Sequence, residues 1–264
     1  MHQHSLEICL RRYRLQFKKL QTFGCSLTSG DDITDLNQTW PYLLSSKMSC
    51  ELENFSYSNA SNQSIADKVV EKCDTNSFVI VCWTAQFRHQ IYHNNKKIDY
   101  NVLTEEDQKV IALDEKIQEM PKDLENMITI QKKYIDEEQY YKQFLQNVLW
   151  LQQYLKDQKI SYLFCYGNSM SISFNTKSWN VKPQASSNLY NPNILIQKYP
   201  FIKSIDETHF LDFFEPHKSF WEHCVAKNFI LGPTRHPLED GHKFWADYIS
   251  ERITKQYNTI LEEA

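Results

Sequence analysis

The feature that most restricts the fold of this chain is an uninterrupted apolar run, FVIVCW, from Phe78 to Trp83. A strand with one face in water alternates polar and apolar residues, whereas a strand covered on both faces is apolar throughout. The run therefore predicts a central strand of a parallel sheet that has helices on both sides.

Shorter segments repeat the alternation of strand and helix on either side of this run. Strand-like segments lie at residues 20–23, 51–56, 160–166 and 228–231, and segments with helical spacing lie at 37–47, 61–73 and 238–261. Residues 104–159 are polar, charged and periodic, and they predict a helical insertion broken near Pro121. We expect one domain over residues 1–264, with an α/β, three-layer α/β/α architecture and a mostly parallel, flavodoxin-like sheet.

Charge and composition narrow the classes of function. The chain has 29 Lys and Arg against 33 Asp and Glu, a net charge of -4, which predicts no general attraction to nucleic acid or to anionic membranes. The N-terminal residues lack the apolar core of a signal peptide, and the seven cysteines are irregularly spaced, so a reducing, cytoplasmic setting is expected. The histidines do not follow metal-site spacing, so neither a metal nor another cofactor is expected. The oligomeric state stays open.

Two polar segments at opposite ends of the chain carry the chemistry. Ser26 follows the first predicted strand between Gly24 and Gly30, and His236 precedes Pro237 just before the last predicted helix. Parallel sheets place their ligand sites at the carboxyl ends of the strands, where such loops meet. A serine hydroxyl becomes a useful nucleophile only when a neighbouring base accepts its proton. The pattern predicts a nucleophile at Ser26 with His236 as its base.

These segments resemble the conserved blocks of the SGNH, or GDSL, hydrolase superfamily. GCSLTSG is similar to block one and HPLEDGHKFWADYI to block five, while NFSYSNASNQSI and FVIVCWTAQFR stand in the places of blocks two and three. The resemblance is greatest to compact intracellular or phage-associated members with divergent blocks two, three and five. It implies the SGNH hydrolase fold and the hydrolysis of acyl or O-acetyl esters.

The resemblance also implies roles for single residues. Ser26 would supply both the nucleophile and an oxyanion-hole N–H, and Asn59 would supply a second N–H in place of the family's glycine, since Asn tolerates a positive φ. The block-three asparagine is missing, and Asn62 or Gln86 is the candidate to replace it.

The third member of the catalytic triad is not where the family has it. The family's acid lies three residues before the histidine, at the position that Pro233 occupies here, and Thr234 follows it. Asp240 is the first candidate to replace the acid, with Asp206 and Asp212 as further candidates.

Three residues after the third strand are expected to bind substrate: Trp83, Gln86 and Arg88. Arg88 is open to two interpretations, an ordinary surface charge or a ligand for a substrate carboxylate or phosphate. The expected partner is a small-molecule or glycan ester. Two alternatives remain at this point, a catalytically degenerate ligand-binding protein of the same fold and an acyltransferase.

Overall fold

The architecture is that of a computed structural model of the chain. It describes residues 17–86, 88–93, 96–101, 137–169, 172–174, 181–183 and 196–262, together with residues 122, 126 and 130. Most of the predicted insertion, including the break at Pro121, lies outside the described residues.

A four-stranded parallel sheet forms the centre of the protein. Its strands are β1 (Lys19–Phe23), β2 (Glu51–Asn54), β3 (Ser77–Trp83) and β6 (Ser161–Tyr166), and their order in the sheet is β2-β1-β3-β6. All seven residues of β3 are buried, which confirms the prediction of a strand covered on both faces. Two antiparallel pairs stand apart from the sheet, β4 (Arg88–His93) with β5 (Lys96–Asn101) and β7 (Ile172–Phe174) with β8 (Val181–Pro183).

Helices follow the strands along the chain. They are α1 (Ser26–Ser29), α2 (Trp40–Met48), α3 (Asn62–Lys72), α4 (Glu137–Asp157), α5 (Phe220–Ala226) and α6 (Glu239–Glu262), with short 3-10 turns at Leu36–Gln38, Pro200–Ser204 and Pro216–Lys218. Ser61 caps α3 as its residue type predicts, because its Oγ accepts a hydrogen bond from the Ser64 N–H at 3.1 Å.

The order of the strands places the helices in two layers. The connection from β1 to β2 through α2 runs in one direction along the sheet, and the connection from β2 to β3 through α3 runs in the other. Right-handed crossovers in opposite directions put their helices on opposite faces of the sheet. Accordingly α6 packs against α2, and α4 packs against α3. The predicted α/β fold class is confirmed.

The structure differs from the sequence prediction in several local features. Residues 228–231 do not form a strand of the sheet, since Leu231 makes a single antiparallel bridge to Pro237. The edge beside β6 is instead extended by Phe210, which bridges Phe164 in parallel. The β4–β5 hairpin and α5 were not predicted, because neither shows a strong period in the sequence.

The six cysteines within the described residues are free thiols. Among the helices of the described residues, none has both the length and the apolar character that crossing a bilayer requires.

A buried histidine joins the last helix to the first long one. His242 is 0% exposed, and its Nδ1 accepts a hydrogen bond from the Trp40 N–H at 3.0 Å. Its ring meets the ring of Phe220 edge to face. Burial lowers the pKa of His242 to about 3, so the ring is neutral at pH 7 and can accept this bond.

We predict that His242 makes the fold sensitive to acid. An unfolded histidine binds a proton near pH 6.5, whereas folded His242 stays neutral down to about pH 3, so the free energy of unfolding should fall as pH drops through this window. In His242→Asn the amide oxygen can still accept the Trp40 N–H but does not titrate. Urea unfolding between about pH 7 and about pH 4 should give a shallower pH dependence for this variant. Equal slopes for the two proteins would contradict the prediction.

Candidate active site

The segment GCSLTSG forms a sharp turn at the carboxyl end of β1. A Cβ atom at Gly24 would lie 2.3 Å from the Thr28 Oγ1 and 3.1 Å from the Cys82 carbonyl oxygen, so the turn needs glycine at this position. Ser26 opens the one-turn helix α1, which ends at Gly30 with φ of 90°. The first N–H groups of a helix have no acceptor within it. The turn thus places the Ser26 hydroxyl and backbone N–H at the edge of the sheet.

The loop before α6 brings His236 to the same edge. The loop is closed by two hydrogen bonds, from the Gly232 N–H to the His236 carbonyl at 2.8 Å and from the Arg235 N–H to the Gly232 carbonyl at 2.9 Å. The His236 Nε2 lies 2.7 Å from the Ser26 Oγ. The structure therefore brings together the two residues that the sequence paired, although 210 positions separate them.

The other nitrogen of His236 faces a threonine and an aspartate. The Thr234 Oγ1 lies 2.7 Å from the His236 Nδ1 and donates its proton to the Asp32 Oδ2 at 2.8 Å. The Asp32 Oδ2 is also 3.6 Å from the Nδ1 itself. It accepts two backbone N–H groups as well, from Thr234 at 2.9 Å and from His236 at 3.3 Å.

The directions of these bonds fix the tautomer of His236. A carboxylate only accepts hydrogen bonds, so the Thr234 hydroxyl donates to Asp32 and uses its oxygen to accept the Nδ1–H. The Nε2 is then left with its lone pair toward the Ser26 hydroxyl. This is the tautomer that a general base needs in order to take the serine proton.

The surroundings of His236 set its pKa by opposing effects. Burial lowers the pKa below 6.5 and is the largest effect, while the negative charges of Asp31 and Asp32 raise it and the positive charge of Arg88 lowers it. The result is a lowered pKa, so the ring is neutral and able to accept a proton at pH 7.

Asp32 is held in place by local backbone geometry. Its φ of 70° is one that aspartate tolerates better than most residues, and its side chain is 9% exposed. Gly232 lies against it, and a Cβ atom there would come within 2.5 Å of the Asp32 Cβ and 2.6 Å of its Oδ2. A larger residue at 232 would displace the carboxylate from Thr234.

A third loop reaches the same edge from β2. The Tyr57 N–H donates to the Gly24 carbonyl at 3.3 Å, and the Ser58 hydroxyl donates to Asp31 at 2.5 Å. Asn59 follows with φ of 62°, the left-handed conformation expected of it. Its part in an oxyanion hole stays a prediction.

Two residues that were expected in the site make structural contacts instead. Asn62 donates from Nδ2 to the carbonyls of Thr84 and Ala85 at 3.0 and 3.4 Å and accepts the Thr84 N–H at 2.9 Å, so its amide fixes the end of β3 and is not available as an oxyanion donor. Trp83 is 0% exposed and packs edge-on against Phe144 and Phe164, so it belongs to the core rather than to a substrate surface.

The structure places the three candidate replacements for the acid in other surroundings. Asp240 is exposed in the first turn of α6, and among the described residues the carboxylate beside the imidazole of His236 is Asp32. Asp206 pairs with Lys156 at 2.7 Å, and Asp212 pairs with Arg252 at 2.7 Å.

Gln86 and Arg88 line a pocket beyond the carboxyl end of β3. Asn62, Phe144 and Asn147 contribute to the same wall. Part of the expected substrate-binding set is thus gathered in one cavity, and its function stays a prediction. Within the described residues, no cluster of three or more His, Cys, Asp and Glu side chains is arranged to hold a metal ion.

Asp32 is the residue that the sequence analysis missed. The available signal was its place in GDDI, directly after the nucleophile turn and so at the same edge of the sheet. The family places its acid close to the histidine along the chain, whereas here the loop at Thr234 meets a carboxylate from 202 positions away.

Similarity to known proteins was found in the structure and not in the sequence. No protein-family model matches the sequence, and no match was found among curated proteins. Solved structures with a similar fold include the esterase EstA from Pseudoalteromonas sp., at 12% identity over 91% of this chain and 99% of that one, with a TM-score of 0.49.

Two further solved structures show the same kind of similarity. One is a putative lipolytic protein of the G-D-S-L family from Desulfitobacterium hafniense, at 14% identity over 89% of this chain and 99% of that one, with a TM-score of 0.43. The other is the acetyl xylan esterase AlAXEase, at 16% identity over 88% and 97%, with a TM-score of 0.45. Proteins of the G-D-S-L esterase type are thus among the structures that this chain resembles, and at these identities the likeness extends to the fold alone.

We predict that Gly232→Ala destabilises the protein through Asp32. The added Cβ would overlap the aspartate side chain, and overpacking of this kind typically costs about 1–3 kcal/mol. Asp32→Gly removes the three nearest atoms that the new methyl would meet, so Gly232→Ala should cost clearly less in that background. Denaturant unfolding of the two single variants and the double variant measures this coupling. A cost that is the same in both backgrounds would show that the contact is not the cause.

Proposed function

We propose that this protein is a serine hydrolase of carboxylic esters, with Ser26 as nucleophile and His236 as general base. The observation that carries the proposal is the 2.7 Å contact between the Ser26 Oγ and the His236 Nε2, in a tautomer fixed from the other side of the ring. Distances of about 2.6–3.2 Å are those that proton transfer between a nucleophile and its base requires.

The reaction proceeds in two acyl-transfer steps. The Ser26 Oγ attacks the ester carbonyl carbon while His236 takes its proton, and the bond to the alcohol oxygen then breaks as His236 gives that proton to the leaving alcohol. Water next attacks the acyl-enzyme and loses a proton to His236. The Ser26–acyl bond breaks, the acid leaves, and the serine regains its proton.

Backbone N–H groups are proposed to stabilise the oxyanion that forms in each step. Ser26 offers its N–H in the first turn of α1, and Asn59 offers a second from the loop that is bonded to Gly24 through Tyr57. Fixed N–H donors of this type need no reorganisation as the negative charge develops.

Thr234 and Asp32 are proposed to act together as the acid of the triad. The carboxylate stabilises the imidazolium that forms when His236 is protonated, and the threonine hydroxyl transmits its orientation to the Nδ1–H. The nearness of Asp32 supports a working site over a degenerate one, since it supplies the charge that the family's acid position lacks here.

The packing around the nucleophile favours small acyl groups. Ser26 is 3% exposed and the His236 side chain is 17% exposed, so little room is open beside the hydroxyl. Short acyl and O-acetyl esters of small molecules or glycans are the proposed substrates.

A covalent probe tests the nucleophile. We expect a fluorophosphonate to label the wild-type protein at Ser26, because such probes react with activated serines. Ser26→Ala should lose the label. Ser45→Ala, in α2, is the matched control, since its hydroxyl donates only to the Tyr42 carbonyl, and it should keep the label. Labelling that survives in Ser26→Ala would exclude this residue as the nucleophile.

The pH profile tests the role of Asp32. Since His236 must be neutral, kcat/KM should rise with pH along a limb centred below 6.5 and be flat at pH 7. Asp32→Asn keeps an acceptor for Thr234 but removes a charge that raises the pKa of His236, so the limb should move to lower pH.

The same variant should also lower the plateau of kcat/KM. A fall of roughly 10²–10⁴-fold is expected from losing the charge that stabilises the imidazolium. Asp240→Asn is the matched control, because it removes the same charge from the exposed first turn of α6, and it should leave both the plateau and the limb in place. A plateau that falls with no movement of the limb would show that Asp32 acts on folding rather than on His236.

A further inference from the structure

Arg88 carries a half-buried positive charge that has no partner among the described residues. It is the first residue of β4, and its Nε and Nη1 atoms are buried without a hydrogen bond. Within the described part of the chain, this guanidinium forms no ion pair with a carboxylate. Two nitrogens that can each donate a hydrogen bond are therefore unused at a position from which water is excluded.

Such an arrangement is unfavourable unless something binds there. A buried charge lowers stability when it is neither paired nor hydrogen-bonded. The guanidinium is planar and presents parallel N–H groups that match the two oxygens of a carboxylate or phosphate. A bound oxyanion would supply the missing charge and would accept hydrogen bonds along one of the two bidentate edges, Nε with Nη2 or Nη1 with Nη2.

The pocket around Arg88 has the chemistry of an anion site. Among the described residues, its lining is rich in side-chain amides, such as those of Gln86 and Asn147, and includes neither Asp nor Glu. His89 also lines it, but burial lowers its pKa to about 4, so the ring adds no charge at pH 7. Asp67 accepts hydrogen bonds from Gln63 and Gln90 but is not part of the lining.

The pocket adjoins the edge of the sheet that carries Ser26. Asn62 lines it and holds the backbone of Thr84, the first residue after β3. Two residues before Thr84, the carbonyl of Cys82 in β3 lies against Gly24 in the nucleophile turn. The charge of Arg88 is also close enough to lower the pKa of His236. One substrate could therefore reach both places.

We propose that this pocket binds the carboxylate or phosphate group of anionic ester substrates through Arg88. The inference rests on the ester hydrolysis proposed above and names the class of its substrates. The anion can lie on the acyl portion or on the alcohol portion of the ester, and the experiments separate these cases.

Binding is tested first without catalysis. Ser26→Ala protein is titrated calorimetrically with succinate and, separately, with inorganic phosphate at constant ionic strength. At least one of these anions should bind, and adding Arg88→Gln should weaken that binding by about tenfold or more, since a charge-assisted bidentate contact is lost. Lys203→Gln is the matched control, because it removes the same charge from an exposed position.

Two results of this titration would overturn the proposal. One is that neither anion binds to the Ser26→Ala protein. The other is that Arg88→Gln and Lys203→Gln weaken binding equally, which would mean that only the net charge matters.

Turnover then locates the anion relative to the scissile bond. Nitrophenyl acetate is compared with nitrophenyl hemisuccinate for an anionic acyl group, and 4-acetoxybenzamide with 4-acetoxybenzoate for an anionic alcohol. In one pair, Arg88→Gln should lower kcat/KM for the anionic ester about tenfold more than for the neutral one. Equal losses within both pairs overturn the proposal. If none of the four esters is hydrolysed by the wild type, the hydrolase proposal fails, whereas the titration still decides whether the pocket binds anions.

Thermal stability distinguishes a ligand-binding arginine from a structural one. Replacing an unpaired buried charge by a neutral amide should leave the Tm of the unliganded protein unchanged or raise it. A Tm that falls by more than about 4 °C would show that Arg88 supports the fold instead.

Discussion

The candidate site depends on one aspartate that accepts hydrogen bonds from a loop 202 positions later in the chain. Asp32 receives the Thr234 hydroxyl and the backbone N–H groups of Thr234 and His236. These bonds fix the end of the loop, and only then does the imidazole lie within reach of Ser26. A charged acceptor makes stronger hydrogen bonds than a neutral one, so a carboxylate suits this position.

In the proposed mechanism, the same aspartate takes the place of an acid next to the histidine. A negative charge must lie near the Nδ1 of the base, but it can come from any loop at that edge of the sheet. Here it comes from the nucleophile's own loop, and Thr234 fills the space between carboxylate and ring. The absence of a side chain at Gly232 is what allows the carboxylate to approach so closely.

The sequence was informative where a pattern is local. The apolar run of β3, the caps of the helices and the spacing in α6 were enough to predict a parallel sheet between two helical layers. The pairing of Ser26 with His236 came from the order of strands, the rule that places loops at one sheet edge, and the family resemblance.

What the sequence could not supply was contact between side chains from distant loops. From the sequence alone, Asp32 and Asp240 are equally plausible candidates for the acid. Only the path of the backbone shows that Asp32 lies beside the imidazole, whereas Asp240 is exposed to solvent. Trp83 and Asn62 illustrate the same limit. An aromatic side chain near a strand end can pack in the core or line a binding site, and an amide there can hydrogen-bond the backbone or a ligand. The β4–β5 hairpin was missed because its residues do not alternate clearly.

The long separation between Ser26 and its base has a consequence for a ribosome making this chain. Until His236 has left the exit tunnel and the final helix has docked, with His242 accepting the Trp40 N–H, the serine has no base and remains an ordinary alcohol. In the proposed mechanism, reactivity is therefore tied to completion of the fold, and a nascent chain that stops before this loop carries an unactivated hydroxyl.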